Sequence, residues 1–126
     1  MTVDERLFTR EEAEVLIPRL CTLLEGLVEV SRQLADPELL RTARTGAAGN
    51  GGGRAARQLL EGGDRFNRIV GEIEDLGIVV RDPSTGLVDF PAERDGRPVY
   101  LCWRLGEAAV GFWHDRDTGY MGRQPL

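Results

Sequence analysis

Two stretches of the chain carry small or apolar residues at alternating spacings of four and three, and this pattern constrains the fold more than any other feature. In an α-helix these spacings place the side chains on one face, so each stretch predicts a helix with one apolar seam. The first seam consists of Ala13, Ile17, Leu20, Leu24, Leu27, Ser31 and Leu34, and the second of Ala55, Leu59, Gly62, Phe66, Ile69, Ile73 and Leu76. We therefore predict an antiparallel helical hairpin.

Local signals predict where these helices begin and end. Thr9 followed by Glu12 is a capping-box pattern, in which each side chain bonds the backbone N–H of the other residue. Pro18 lies inside the first seam and predicts a kink or a restart, because proline lacks the N–H that the helix needs. Gly77 is typical of a helix C-terminus. Between the seams, five of the eight residues 46–53 are glycine, which predicts a flexible loop.

The seams also predict how the two helices pair. If Leu34 lies near Ala55 in an antiparallel arrangement, Gly62 comes close to Leu27. Because glycine has no side chain, Leu27 can then approach the second helix closely. A further short helix is predicted over residues 37–44, where a proline follows an aspartate.

After Gly77 the sequence becomes typical of strands and turns. Turn signals occur at residues 82–86 and at Asp95-Gly96. The predicted strands cover residues 78–81, 87–90, 98–105 and 110–115. The tail from residue 117 onward is predicted to be coil that packs Tyr120 or Met121 onto the body of the protein.

These patterns together predict an α+β fold, in which an antiparallel two-helix hairpin packs with a small antiparallel β-meander of three to four strands. The length of 126 residues fits a single domain, 1–126. Within it we place the hairpin in residues 9–76 and the meander and tail in residues 78–126.

Composition excludes several classes of function. The net charge of −5 argues against nucleic-acid binding, because phosphate binding needs an excess of cations. The chain has no lysine, which excludes Schiff-base chemistry. No stretch approaches the ~18 apolar residues of a membrane helix. Residues 1–10 do not have the pattern of a signal peptide, so we expect a cytoplasmic protein with Cys21 and Cys102 as reduced thiols.

The C-terminal half contains motifs that resemble a known family. They are residues 88–91, Val-Asp-Phe-Pro, residues 95–107, Asp-Gly-Arg-Pro-Val-Tyr-Leu-Cys-Trp-Arg-Leu-Gly-Glu, then Phe-Trp-His at 112–114 and Gly-Arg-Gln-Pro at 122–125. With these motifs the chain resembles a small bacterial family of unknown function, domain of unknown function 2203, over nearly its whole length. The resemblance implies one domain and no particular reaction.

One hypothesis for this region is a metal site. Cys102, His114 and a carboxylate, with Glu107 as the candidate beside Asp115 and Asp117, are suitable ligand types for zinc or iron. A tight turn at Gly106-Glu107, or a four-residue connection that pairs Leu105 with Val110, would, however, place Cys102 and His114 on opposite faces of the sheet unless a bulge intervenes, since side chains alternate along a strand. We therefore expect a packed cysteine and a hydrogen-bonded histidine, with the metal site as the alternative.

A second hypothesis is a pocket for a small anionic ligand. Arginine binds carboxylate or phosphate through two parallel N–H groups, and tryptophans could form the walls. The candidate ligand-binding residues are Trp103, Arg104, Glu107, Trp113, His114 and Arg123. The simpler interpretation, which we favour, is that these arginines pair with nearby acidic residues in a structural network.

No complete catalytic motif is present, so the sequence favours a binding or interaction protein over an enzyme. The third predicted strand is apolar on both faces, and Leu16, Leu23 and Val30 lie outside the helical seam. This surplus of apolar side chains predicts a homodimer. The alternative is a metal- or small-anion-binding protein that uses the C-terminal Cys/Trp/Arg/Glu/His cluster.

Overall fold

The structure is a computed structural model that describes residues 5–45 and 50–126. In these residues three α-helices precede a five-stranded antiparallel sheet, so the predicted α+β class is confirmed. The helices are α1 (Arg10–Leu34), α2 (Pro37–Thr45) and α3 (Asn50–Asp75). The strands are β1 (Val79–Asp82), β2 (Leu87–Arg94), β3 (Arg97–Arg104), β4 (Phe112–Asp115) and β5 (Gln124–Pro125), in the spatial order β1-β2-β3-β4-β5. The prediction of three to four strands missed β5.

The start of α1 is the predicted capping box. Thr9 Oγ1 accepts from the Glu12 N–H at 3.1 Å, and the Glu12 carboxylate accepts from the Thr9 N–H at 2.8 Å. The helix then continues through Pro18 to Leu34, so a restart at Pro18 is wrong. The predicted loop over residues 46–53 is also partly wrong, because α3 already begins at Asn50, whereas residues 46–49 lie outside the described residues.

The pairing of α1 with α3 is offset from the predicted one by about one to two helical turns. A Cβ atom added to Gly62 would lie 2.9 Å from Leu34 Cδ2 and 3.6 Å from Val30 Cγ2. Gly62 is therefore a close-packing position, but its neighbours are Leu34 and Val30 and not Leu27. Helix α2 also packs against α3.

One face of the sheet packs against the helices and forms the core. Its buried side chains alternate along each strand and are Val88, Phe90, Ala92, Val99, Leu101, Trp103 and Trp113. The helices contribute Ala13, Leu20, Leu24, Leu27, Val30, Ile69 and Ile73. We call the opposite side of the sheet the outer face.

Two of the turns between strands have the backbone that their sequence predicts. Gly86 has a φ of +77°, and a Cβ atom there would lie 2.8 Å from Leu105 Cβ, so only glycine fits. Asp95 and Gly96 have φ values of 54° and 76°, as the hairpin between β2 and β3 requires. None of the helices in residues 5–45 and 50–126 has both the length and the apolar character needed to cross a bilayer.

Candidate functional site

The register between β3 and β4 places Cys102 and His114 on the same face. Tyr100 pairs with His114, and Cys102 pairs with Phe112. Both side chains point to the outer face, so the expectation that they lie on opposite faces is wrong. The reason is the register, because Cys102 pairs with Phe112, one residue away from the partner that either predicted connection would give it.

That connection is held by two bonds to carboxylates. The Glu107 carboxylate accepts from the Arg104 N–H at 2.7 Å. The Val110 N–H donates to Glu14 of α1 at 2.6 Å, across 96 residues of sequence. The connection is thus anchored to the helical layer, in the register that places Cys102 and His114 on the same face.

Three buried side chains from neighbouring strands meet on the outer face. They are Asp89 of β2, Cys102 of β3 and His114 of β4, and their potential ligand atoms all lie within 4.8 Å of one another. We call them the Asp89–Cys102–His114 group. The structure therefore brings together Cys102 and His114, which the sequence singled out, but the carboxylate beside them is Asp89 and not Glu107.

The hydrogen bonds of His114 define its tautomer. Nδ1 lies 2.7 Å from the backbone carbonyl oxygen of Asp115. A carbonyl oxygen only accepts, so Nδ1 carries a proton and donates it. Nε2 lies 3.0 and 3.1 Å from the two carboxylate oxygens of Asp89. With Nδ1 as the donor to Asp115, either a proton or a bound cation between Nε2 and the carboxylate would satisfy this contact.

Asp89 also binds a cation from the edge of the sheet. Arg81 Nε donates to Asp89 Oδ2 at 2.8 Å. Burial opposes the charge on Arg81, but the hydrogen bond and the negative charge of Asp89 raise the pKa of its guanidinium overall. The carboxylate is thus held in place from two sides, by Arg81 and by His114.

Cys102 is a neutral thiol in this setting. Burial raises its pKa to about 11, and the negative charge of Asp89 adds to this effect. Arg123 Nη1, at 3.9 Å from Sγ, acts in the opposite direction but does not reverse it. A nucleophilic role of the free thiolate is disfavoured, because reactive cysteines have lowered pKa values.

This environment predicts slow alkylation of Cys102 in the metal-free protein. At pH 8 a pKa of about 11 in place of 9.0 leaves about a hundredfold less thiolate, so iodoacetamide should modify native Cys102 about a hundredfold more slowly than urea-unfolded protein. Mass spectrometry of the Cys102 peptide measures both rates, and the native rate should rise toward pH 11. The unfolded chain loses the thiol proton first, so this group lowers stability as the pH rises from about 9 to about 11. Equal rates for native and unfolded protein at pH 8 would contradict the prediction.

Glu107 and Arg123 form an ion pair that ties the tail to the sheet. Arg123 donates to the two Glu107 oxygens at 3.0 and 2.9 Å. Its guanidinium carbon lies 3.9 Å from the centre of the Phe112 ring and 4.4 Å from that of Tyr120. The hydrogen bond to Glu107 raises the pKa of Arg123. Tyr120 therefore packs onto the body as predicted, whereas Met121 is exposed.

The six predicted ligand-binding residues do not form one pocket. Trp103 and Trp113 face the helices and belong to the core. Arg104 is exposed, with its guanidinium 5.8 Å from the centre of the Tyr120 ring. The remaining three, His114, Glu107 and Arg123, lie on the outer face or beside it, and the last two pair with each other.

A cleft of about 360 Å³ opens next to the Asp89–Cys102–His114 group. The lining residues are Arg81, Leu87, Asp89, His114, Arg116, Asp117, Thr118, Gly119 and Tyr120. Arg116 also braces the N-terminal segment, since it donates from Nη1 and Nη2 to Glu5 at 3.0 and 2.7 Å. The hydrogen bond to Glu5 raises the pKa of Arg116.

A comparison with protein families matches residues 6–126 to a family described as an uncharacterized conserved protein, DUF2203. The chain belongs to the DUF2203 family. The resemblance seen in its motifs is thereby confirmed. Neither the curated proteins nor the solved structures contain a match to the chain. The family description states no activity, so the chemistry of this DUF2203 protein has to be argued from the site itself.

The sequence interpretation of this DUF2203 chain did not include Asp89 or Arg81 among the site residues. A signal for Asp89 is present, because it is the single charged residue among the otherwise apolar residues 87–92. The two-residue hairpin at Asp95-Gly96 makes Asp89 the direct partner of Cys102 on β3, and the β3–β4 register adds His114 to the same face. Arg81 carries no comparable signal, since its position depends on the irregular pairing of β1 with β2.

Proposed function

We propose that this DUF2203 protein binds a zinc or iron(II) ion through Asp89, Cys102 and His114. The observation that supports the proposal is the convergence of a carboxylate, a thiol and an imidazole, all buried, with ligand atoms within 4.8 Å of one another. Thiolate, imidazole and carboxylate are together the ligands that zinc and iron accept in proteins.

The second contact of each ligand also fits a metal centre. Metal-bound histidines usually donate their other ring N–H to a carbonyl or a carboxylate, and His114 Nδ1 donates to the Asp115 carbonyl in this way. Asp89 keeps one oxygen for Arg81 while the other is available to a cation. Arg123 lies 3.9 Å from Cys102 Sγ and would stabilise a thiolate there.

Coordination would change the state of Cys102. A metal ion bound by sulfur deprotonates the thiol, so binding releases its proton to solvent. The positive charge of the ion would then lie between Asp89, Cys102 and His114, where a proton or nothing lies otherwise. Three protein ligands leave one position open in a tetrahedral site, which is typical of metal centres that bind a further ligand.

The proposal is tested by metal content and by a cobalt spectrum. Purified protein incubated with Zn²⁺ and desalted should retain about one ion per chain. With Co²⁺ it should show a thiolate-to-metal charge-transfer band. Cys102→Ser and His114→Ala should each lower metal affinity roughly a hundredfold or more, since even residues that only orient a ligand are worth 10- to 100-fold.

Cys21→Ser is the matched control, because Cys21 lies in α1 away from the outer face. It should bind the metal ions as wild type does. Protein that retains neither Zn²⁺ nor Co²⁺, or a charge-transfer band that survives Cys102→Ser and disappears in Cys21→Ser, would rule the proposal out.

The homodimer stays a prediction, and several of the apolar side chains that suggested it are buried within the chain. Val30 is fully buried, and Leu16 and Leu23 pack against the core. Part of the outer face is occupied by the ion pair of Arg123 with Glu107. The apolar surplus that led to a dimer is therefore largely used within the chain.

A further inference from the structure

We infer that the cleft binds a small oxyanion, a carboxylate or a phosphate, with one oxygen on the metal ion and another on Arg81. The inference rests on the proposed metal site and names the class of ligand that this site would take. It differs from the anion pocket expected from the sequence, which relied on Arg104, Arg123 and the two tryptophans.

Arg81 is the arginine of the cleft whose guanidinium has N–H groups available to a ligand. Its Nε donates to Asp89 at 2.8 Å, and its guanidinium also interacts with the Tyr100 hydroxyl. A guanidinium has about five N–H donors, so most of those on Arg81 remain for another acceptor. Its guanidinium carbon lies 4.8 Å from the centre of the Tyr100 ring, which supports the group from one side.

The neighbouring arginines are already engaged. Arg116 donates from Nε to the Val99 carbonyl at 3.0 Å and from Nη1 and Nη2 to Glu5. Arg123 binds both oxygens of Glu107. A ligand in the cleft would have to break these contacts to use either residue, whereas Arg81 offers its free N–H groups without such a loss.

The charges at the metal site and Arg81 favour an anion once the ion is bound, although the Asp117 carboxylate also lines the cleft and Arg116 is paired with Glu5. A divalent cation with the thiolate of Cys102, the carboxylate of Asp89 and the neutral ring of His114 has no net charge. Arg81 then contributes one positive charge that Asp89, shared with the ion, no longer fully neutralises. An oxyanion would fill the open coordination position with one oxygen and accept hydrogen bonds from Arg81 with another.

The dimensions of the cleft limit the size of the ligand. A volume of about 360 Å³ lies at the low end of small-molecule sites, which suits a small acid or phosphate and not a polymer. Gly119 and Tyr120 line the same cleft, and their backbone N–H groups and the Tyr120 hydroxyl suit an oxygen-rich ligand, whereas the Thr118 hydroxyl already donates to the Asp115 carbonyl at 3.3 Å.

The test uses Co²⁺-loaded full-length protein, freed of excess metal. Acetate and inorganic phosphate are titrated separately, and the cobalt ligand-field bands report exchange at the open position. We expect at least one of the two anions to shift these bands saturably. Arg81→Gln, loaded to the same charge-transfer intensity, should bind that anion about tenfold or more weakly, because a charge-assisted hydrogen bond is lost.

Arg97→Gln is the control, since it removes the same charge from outside the cleft, where Arg97 pairs with Asp115 at 3.0 Å. It should leave the anion affinity within about twofold of wild type. A charge-transfer band without any anion-dependent shift would overturn this inference and leave the metal site standing. Equal weakening in Arg81→Gln and Arg97→Gln would overturn the role of Arg81. Absence of the charge-transfer band itself would refute the metal site and the inference together.

Discussion

Replacing Asp89 with alanine is expected to lower the free energy of unfolding of the metal-free protein by about 3 to 5 kcal/mol. The side chains of Asp89 and His114 are each 2% exposed, and the carboxylate joins His114 Nε2 to Arg81 Nε. Its removal leaves a buried ring nitrogen without its partner and a cation without its counter-charge. Urea unfolding followed by circular dichroism measures the change.

The matched control is Asp115→Ala, which removes a carboxylate of β4 from an open ion pair. The side chains of Arg97 and Asp115 are 62% and 33% exposed, so their pair should contribute no more than about 1 kcal/mol. If the two variants lose the same free energy of unfolding, the buried contacts of Asp89 stabilise the protein no more than the exposed ion pair of Asp115 does. Asp89→Asn keeps the shape and some hydrogen bonds, and should lie between wild type and Asp89→Ala.

Zinc gives this prediction a second readout. A ligand that binds only the folded state at a hundred times its Kd adds about 2.7 kcal/mol to stability. Wild-type protein and Asp115→Ala should gain this amount in zinc, and Asp89→Ala should gain far less. A loss of stability without any difference in the zinc response would assign Asp89 a structural role only.

The features of the fold that could be predicted are those set by residues close together in the sequence. The capping box at Thr9, the helix end at Gly77 and the hairpin at Asp95-Gly96 each follow from a short motif. The position of α1 along α3 does not, because it depends on contacts between residues far apart in the sequence. The same applies to β5, which is two residues long and lies beside β4 in a tail that Arg123 ties to Glu107.

The site could be predicted only in part, because a shift of one residue in the β3–β4 register decides which side chains share a face. A shift by one residue moves every side chain of a strand to the other face, so the assumed tight turn separated Cys102 from His114. The actual connection is fastened to Glu14 of α1, a contact that no local pattern reveals. Asp89 was overlooked for the same reason, since its role depends on which face carries the other two ligands.

Replacing Trp103 with alanine is expected to lower the free energy of unfolding by about 3 to 5 kcal/mol. The sequence offered Trp103 as a wall of a ligand pocket, but the residue is 1% exposed and lies in the core between sheet and helices. Its Nε1 donates to the Glu107 carbonyl at 3.3 Å, so the variant also loosens the β3–β4 connection. The urea midpoint should fall accordingly.

Two further variants separate a packing role from a ligand-binding role. Leu60→Ala truncates a side chain of α3 that is 71% exposed, so it should change stability by no more than about 0.5 kcal/mol. Trp103→Phe keeps most of the buried volume, so the protein should stay folded and retain the cobalt charge-transfer band. Because Trp103 and the Asp89–Cys102–His114 group lie on opposite faces of one strand layer, a stable Trp103→Phe protein that no longer binds cobalt would contradict the separation of core and site.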